Sequence, residues 1–257
     1  AITIGVQSQG QSLLGGDIRF RLIHREANDA ERAFLDDLGD VAVSAAMRSM
    51  LRLADGEDQT LVEVKAVDRL YPLYGELVAL PDAPLERLLE ERDGVHGAIA
   101  PQLLFDRLDV APGENVRLGD AEFELRAELI SEPDAVSEGF GFAPRMMVSL
   151  EGLQAAGLLQ EGSLVENVYK IALPAGTTDD DIEAIGERAN ATFPEAGWTV
   201  RGRANAAPAL TANIERFSQF LTLVGLTALV VGGVGVANAV RAYLDSKRAV
   251  IATFKSL

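Results

Sequence analysis

The chain has 257 residues, 48% of them hydrophobic, which rules out a disordered polymer and is enough for one large domain or two small ones with a real core. Its formal charge of −16 argues against nucleic acid as a partner, because phosphate backbones demand a basic face. It has no cysteine, which excludes disulfides, thiolate metal sites and cysteine nucleophiles and leaves the chain at home outside the cytoplasm.

In chain order, Ala1 to Val6 is a short apolar stub followed by the polar run Gln7–Ser12. It reads as the last turns of an earlier span, or as an ordinary strand. Because the chain starts at Ala1 and an apolar helical pattern runs to Leu257, we expect a fragment of a longer protein. Asp17 to Ile23 alternates polar and apolar residues, the period of a half-buried strand. Asn28 and Glu31 stand in capping-box positions before a helix over Ala30–Leu38. Val41–Leu53 and Gln59–Leu70 read as two strands joined at Asp55-Gly56, a hairpin signal. Gly75–Leu80 reads as a further short strand. Pro84–Arg92 reads as a helix with proline in its first turn, and Pro101–Leu108 as another.

Asn115–Leu118 and Ala121–Ile130 flank Gly119-Asp120 as a hairpin. Met146–Ser149 is a strand, Leu150–Ala156 a turn or two of helix and Leu164–Leu173 a strand. Thr178 caps a helix whose first turn is Asp179-Asp180-Asp181. Trp198–Arg203 is the last strand, and Ala207–Arg216 leads into an apolar run. The pattern predicts an α+β domain of two subdomains, the second and more β-rich one inserted between the halves of the first.

The run Gly233-Val-Gly235 looks at first like a dinucleotide loop. Such a loop needs a short preceding strand, a third glycine and a later acidic residue. Asn238 occupies the third-glycine position, and the apolar run before it is too long for one strand. From Phe217 to Val240 there is no charged residue. That is roughly 36 Å of helix, against a hydrocarbon core of about 30 Å, so the run is predicted to be a transmembrane helix. Ala228 and Gly232, Gly233 and Ala237, and Gly235 and Ala239 are spaced four apart, as in membrane helices that approach closely. The competing reading is a buried helix of a soluble core. Charge speaks for the membrane: Arg241, Lys247, Arg248 and Lys255 face one acid, Asp245, a net of +3 that leaves −19 for the residues before it. Basic residues beyond one end of a span mark its cytoplasmic side, which places the acidic domain outside.

Residues able to carry chemistry are few. His24 and His96 are far apart and lack metal-ligand spacing. His24 ends a strand and His96 reads as a loop residue. Asp179-Asp180-Asp181 lacks EF-hand spacing and reads as helix capping. Ser137-Glu-Gly-Phe-Gly141 is not a nucleophile elbow; with Phe140 and Phe142 it reads either as turn chemistry alone or as a mobile loop able to touch a partner or the bilayer. There is no phosphate loop. The expectation is a protein that is not an enzyme, with no catalytic, cofactor-binding or metal-binding residue.

Three stretches resemble FtsX/MacB-like ABC transporter permeases, in particular their YbbP-like branch. They are Ser12-Leu-Leu-Gly-Gly-Asp17, Val62-Glu-Val-Lys-Ala-Val-Asp-Arg-Leu-Tyr-Pro-Leu-Tyr-Gly75, and Leu223 to Leu257 around Gly232-Gly-Val-Gly-Val-Ala-Asn-Ala-Val-Arg241. The likeness runs nearly end to end. It implies that residues 1–16 end a preceding transmembrane helix and linker, and that 17–207 form an extracytoplasmic domain with a porter-like α+β part and an inserted β-rich part. Residues 208–243 are then a transmembrane helix with its lead-in, and 244–257 begin a cytoplasmic coupling segment.

The implied function is mechanical, in the inner membrane and without a cofactor. A separate cytoplasmic ATPase subunit hydrolyses ATP and moves the coupling segment, and the spans pass that motion to an outer domain that handles a hydrophobic or lipid-like substrate. Membrane lipid and a second permease copy or relative are the other partners implied. The residues aligned with the coupling segment are Asp245, Ser246, Lys247, Arg248, Ile251, Thr253 and Lys255. Ala249 stands where the family's second acid usually sits, so a docking role carries over but no individual salt bridge does. The alternative reading is a membrane-anchored extracytoplasmic sensor or binding domain with no ATPase partner.

Overall fold

A computed structural model describes residues 10–53, 56, 58–135, 143–160, 162–206 and 208–255, with side chains of the last segment over 216–243 only. The chain divides into two compact units, 1–207 and 208–257. The first is α+β, as predicted.

Strand β1 (Ile18–Ile23) leads to helix α1 (Asp29–Asp36), whose first turn is closed by the expected capping box between Asn28 and Glu31. The long strands β2 (Asp40–Leu53) and β3 (Gln59–Val67) pair antiparallel from Ser44↔Val67 to Arg52↔Gln59. After β4 (Val78–Leu80) and α2 (Leu85–Leu89), a short hairpin joins β5 (Glu91–Arg92) to β6 (Val95–Ala100). Helix α3 (Gln102–Leu108), the hairpin β7 (Asn115–Leu118) and β8 (Ala121–Ser131), then β9 (Arg145–Ser149) and α4 (Leu150–Ala155) follow. Strand β10 (Glu166–Ala172), α5 (Asp179–Thr192) and β11 (Thr199–Gly202) complete the unit.

Among the described residues the strands form one 11-stranded sheet with main path β11-β1-β10-β2-β3-β9-β6-β8-β4. Most neighbours are antiparallel, while β3–β9 and β6–β8 are parallel. One core cluster is built from the two ends of the unit: Ile18, Phe20 and Leu35 meet Tyr169, Ile171, Ile182 and Trp198. The other two belong to its middle, one around Val64, Leu104, Phe123 and Val148 and one around Val67, Leu89, Ile99 and Met147. The inserted arrangement read from the sequence is therefore visible in the cores. The two parts share one continuous sheet because β2 runs through both, pairing with β10 at one end and β7 at the other.

Three local expectations are corrected. The helix predicted over Pro84–Arg92 stops at Leu89, and the chain turns extended at Glu90. Asp93 and Gly94, both at positive φ, close a two-residue turn that pairs Glu91 with His96 and Arg92 with Val95. His96 consequently lies in a buried strand rather than a loop. The strand predicted from Gly75 begins only at Val78.

In the second unit, helix α6 runs without a break from Pro208 to Lys255. Gly233 and Gly235 lie in its middle, so no strand–turn–helix exists for a dinucleotide loop.

Candidate functional site

Two of the three stretches that carry the family resemblance converge on one buried polar cluster. Residues 10–14 form a helical turn, and Gly15, at φ +74°, then reverses the chain into Asp17. A Cβ on Gly15 would come within 3.1 Å of Lys170 Cδ and 3.4 Å of Asp134 Cβ, so glycine is needed for conformation and for space.

Asp17 is 1% exposed. Its carboxylate accepts from Gln11 Nε2 at 2.8 Å, Tyr74 OH at 2.9 Å, Leu173 N at 2.9 Å and Arg203 Nη1 at 2.5 Å. Arg203 also donates to Asp179 Oδ1 at 2.9 Å and to the Thr177 carbonyl at 2.7 Å. Burial pushes the Asp17 carboxyl up, but the bonds from Gln11, the Leu173 amide, Arg203 and Tyr74 together hold it below its ordinary value. The Tyr74 hydroxyl is pushed up to about 12 by burial and by its bond to that carboxylate. This cluster joins the first described residues of the unit to its last strand: the Arg203 amide also donates to the Asp17 carbonyl at 2.8 Å.

Beside it lies a second network. Lys65 of β3 donates to Glu132 Oε2 and Asp134 Oδ1, each at 2.9 Å, and Tyr71 OH donates to Asp134 Oδ1 at 2.7 Å. Lys170 of β10 pairs with the other Asp134 oxygen. Arg145 of β9 joins Glu63 at 2.6 Å and also pairs with Glu132. Burial alone would raise the Asp134 carboxyl, but the Lys170 and Lys65 charges outweigh it and hold the group ionised far below the usual carboxylate range. Among the described residues, the three cations Lys65, Lys170 and Arg145 meet the three carboxylates Glu63, Glu132 and Asp134. What the network does physically is fix loops and strands to one another, since removing one partner of a buried pair is costly.

Ser12–Asp17 and Val62–Gly75 stand out in the sequence as family stretches, but of the nine charged residues in the two networks only Asp179 has an expected role, as a helix cap. A lysine inside an otherwise apolar strand, as in Val64-Lys65-Ala66 and Tyr169-Lys170-Ile171, was the available signal.

The expected span is legible in α6. Arg216–Tyr243 is long and apolar enough to cross a membrane, and none of its apolar window is buried. Leu229, Val231 and Val236 are among its exposed side chains. Thr222 and Thr227 donate to the Ser218 and Leu223 carbonyls at 2.8 Å, satisfying both hydroxyls within the helix. Of the proposed packing residues, Ala228, Gly232, Gly233, Gly235, Ala237 and Ala239 are all exposed, and a Cβ on Gly232, Gly233 or Gly235 would meet no atom within 4 Å.

Asp245, Ser246, Lys247, Arg248, Ile251, Thr253 and Lys255 fall in the last turns of α6, with their side chains outside the described residues. Phe140 and Phe142 lie outside the described residues as well. Asp181 is a capping residue as expected, in a reciprocal box with Thr178. Among the described residues no group of three or more His, Asp or Glu side chains is placed to hold a metal ion.

No protein-family model matches the chain. Against known proteins, the chain is 28% identical over 256 residues to the uncharacterized ABC transporter permease YbbP of Escherichia coli (strain K12). The chain is similar to an ABC transporter permease along nearly its whole length. The aligned region covers 98% of this chain and 30% of that permease. The family resemblance read from the residues therefore holds. Solved structures similar to this permease-like chain include the periplasmic region of MacB from Actinobacillus actinomycetemcomitans, with a TM-score of 0.48 and 10% identity, covering 80% of this chain and 95% of that one. Another is the extracellular domain of the noncanonic ABC-type transporter YknZ from Gram-positive bacteria, with a TM-score of 0.44 and 15% identity, covering 72% of this chain and 100% of that one.

Proposed function

We propose that this chain is part of the transmembrane subunit of an ABC transporter, with residues 17–207 as an extracytoplasmic domain, 208–243 as a transmembrane helix with its lead-in, and 244–257 as the start of a cytoplasmic coupling segment. The observation that carries this reading is the exposed apolar stretch Arg216–Tyr243, in a chain with permease likeness over 98% of its length. The basic residues after Val240 sit on the cytoplasmic side.

In this reading a cytoplasmic ATPase subunit hydrolyses ATP and moves the segment Asp245–Lys255. Motion of the spans reaches the domain at residues 10–17 and at 203. The ionic joint between Asp17 and Arg203 fixes those two places to each other, so displacement moves the sheet rather than fraying an edge. The substrate is hydrophobic or lipid-like and is handled outside or in the outer leaflet. Membrane lipid and a second permease copy or relative complete the assembly.

The test is ATP hydrolysis by the full-length permease purified with its ATPase subunit in lipid nanodiscs. The K247E and R248E variants are expected to weaken co-purification and reduce hydrolysis. A permease that retains no ATPase, or whose ATPase is indifferent to both reversals, would favour the anchored-sensor reading instead.

A further inference from the structure

Beyond the polar cluster, the first unit carries a cleft of about 550 Å³ where β6 and β9 diverge. That is within the size range of small-molecule sites, roughly 300–1,000 Å³. The two strands pair only at Ala98↔Val148 and Ile99↔Met147. Beyond that pairing, His96 on one strand and Ser149 on the other become part of the lining.

The walls combine two kinds of surface. Val67, Tyr71, Leu85 and Leu89 make the lining partly apolar. Asp68, Glu86, Glu90, Glu91 and Glu151 add five carboxylates, against the single guanidinium of Arg69. Some of these acids are already engaged. Asp68 accepts the Val43 amide at 2.6 Å, Glu90 pairs with Arg92 at 2.5 Å, and Glu86 lies 3.9 Å from Arg69. Arg126, outside the lining, donates to Glu124 at 2.7 Å and to the Glu90 carbonyl at 2.8 Å, while its Nη2 has no partner among the described residues. Glu91 and Glu151 have no hydrogen-bonding or ionic partner among the described residues.

His96 is the second, independent observation. It is only 7% exposed, lines the cleft and stacks at a tilt 5.5 Å from Phe123, yet its ring nitrogens have no hydrogen-bond partner among the described residues. Those nitrogens are therefore uncommitted among the described residues and able to donate to or accept from a ligand in the cleft.

From this geometry we infer a binding site for an organic cation with an apolar body, its charge held by Glu91 and Glu151, its body against Leu85, Leu89 and Tyr71, and its polar atom on His96. An anion of the same shape is repelled by the carboxylate rim. The site stands on the cleft alone and does not depend on the transporter reading. Its chemistry fits either a free lipophilic cation or the ammonium headgroup of a lipid.

The chain has two histidines, so carbon-13 labelling at the imidazole Cε1 gives two signals, with exposed His24 as an internal reference. The probe is tetraphenylphosphonium, which supplies the charge and the apolar body and reports on His96 through the ring currents of its phenyl groups, and the control is tetraphenylborate, of nearly the same shape and opposite charge. Both are added to the full chain in an uncharged maltoside detergent. The expected result is a saturable shift of the His96 signal with the phosphonium only, while His24 stays in place. E91Q and E151Q each weaken that binding by about two- to fivefold, with Trp198 fluorescence confirming that both variants fold. An unmoved His96 signal, an equal response to the borate, or unchanged binding in both variants overturns the proposal. In vesicles of phosphatidylglycerol, a shift that needs added phosphonium identifies a free cation as the ligand. A shift that arises on exchanging the lipid for phosphatidylethanolamine, with no cation added, identifies a headgroup.

Discussion

Replacing Asp17 with alanine tests the ionic joint directly. The substitution strips the acceptor from four donors at once: Gln11, Tyr74, the Leu173 amide and Arg203. Arg203 keeps Asp179 and the Thr177 carbonyl, so its charge is not left wholly unpaired. The Leu173 amide and the Tyr74 hydroxyl lose a buried partner. Breaking a buried pair from one side costs about 3–5 kcal/mol, and the surviving Asp179 contact places D17A at the lower end, about 3 kcal/mol. For a domain of this size each kcal/mol moves Tm by roughly 2–4 °C, so a fall of roughly 6–12 °C is expected. The assay is thermal unfolding of the full chain in detergent, followed by the fluorescence of Trp198, the only tryptophan, which packs on Phe20 at 5.0 Å in the core near the joint. The companion variant D179N removes a carboxylate that is 45% exposed and should cost under about 1 kcal/mol. A D17A Tm within about 2 °C of wild type, or equal losses in the two variants, would refute the reasoning.

Other consequences follow from the same structure. Asp17 and Asp134 both have folded pKa values below the ordinary 3.8, so their stabilisation is present above that value and is lost as pH falls below it. Asp68, raised by burial, works in the opposite sense. Urea unfolding at stepped pH should therefore show stability falling below about pH 4, with a shallower fall in D17N than in wild type. G97A should destabilise strongly, because a Cβ there would sit 1.9 Å from the Leu88 carbonyl oxygen, and unfolding midpoints would reveal whether α2 can retreat instead. V231R places a charge in the middle of the apolar stretch and should cost about 2.5–3.5 kcal/mol of membrane insertion. A membrane-fraction assay that finds V231R inserted as well as wild type would count against the span.

Much of the fold could be read from local chemistry. The Asn28–Glu31 box, the Thr178 cap, the β2–β3 hairpin and the charge-free run after Phe217 are all written in short stretches, and all stand in the structure. Strand β6 escaped because Val95-His-Gly-Ala-Ile-Ala100 is brief and carries a histidine and a glycine, and because its hairpin partner Glu91-Arg92 falls inside the predicted helix Pro84–Arg92. The polar cluster escaped for another reason. Asp17 and Arg203 are 186 residues apart, and Lys65 and Asp134 are 69 apart. No periodicity encodes such pairs, because they exist only once the sheet order has brought β3, β9 and β10 near the loops that carry their partners.

The orientation of the chain across the membrane is the claim on which the proposed function depends, and the absence of cysteine makes it measurable. A single cysteine is placed at exposed Glu195 or, separately, at Ser246 in the full-length protein, and intact cells are treated with a membrane-impermeant maleimide. Labelling at position 195 before lysis and at 246 only after lysis is the expected result. Labelling at neither position before lysis, with the protein in the soluble fraction, would contradict it.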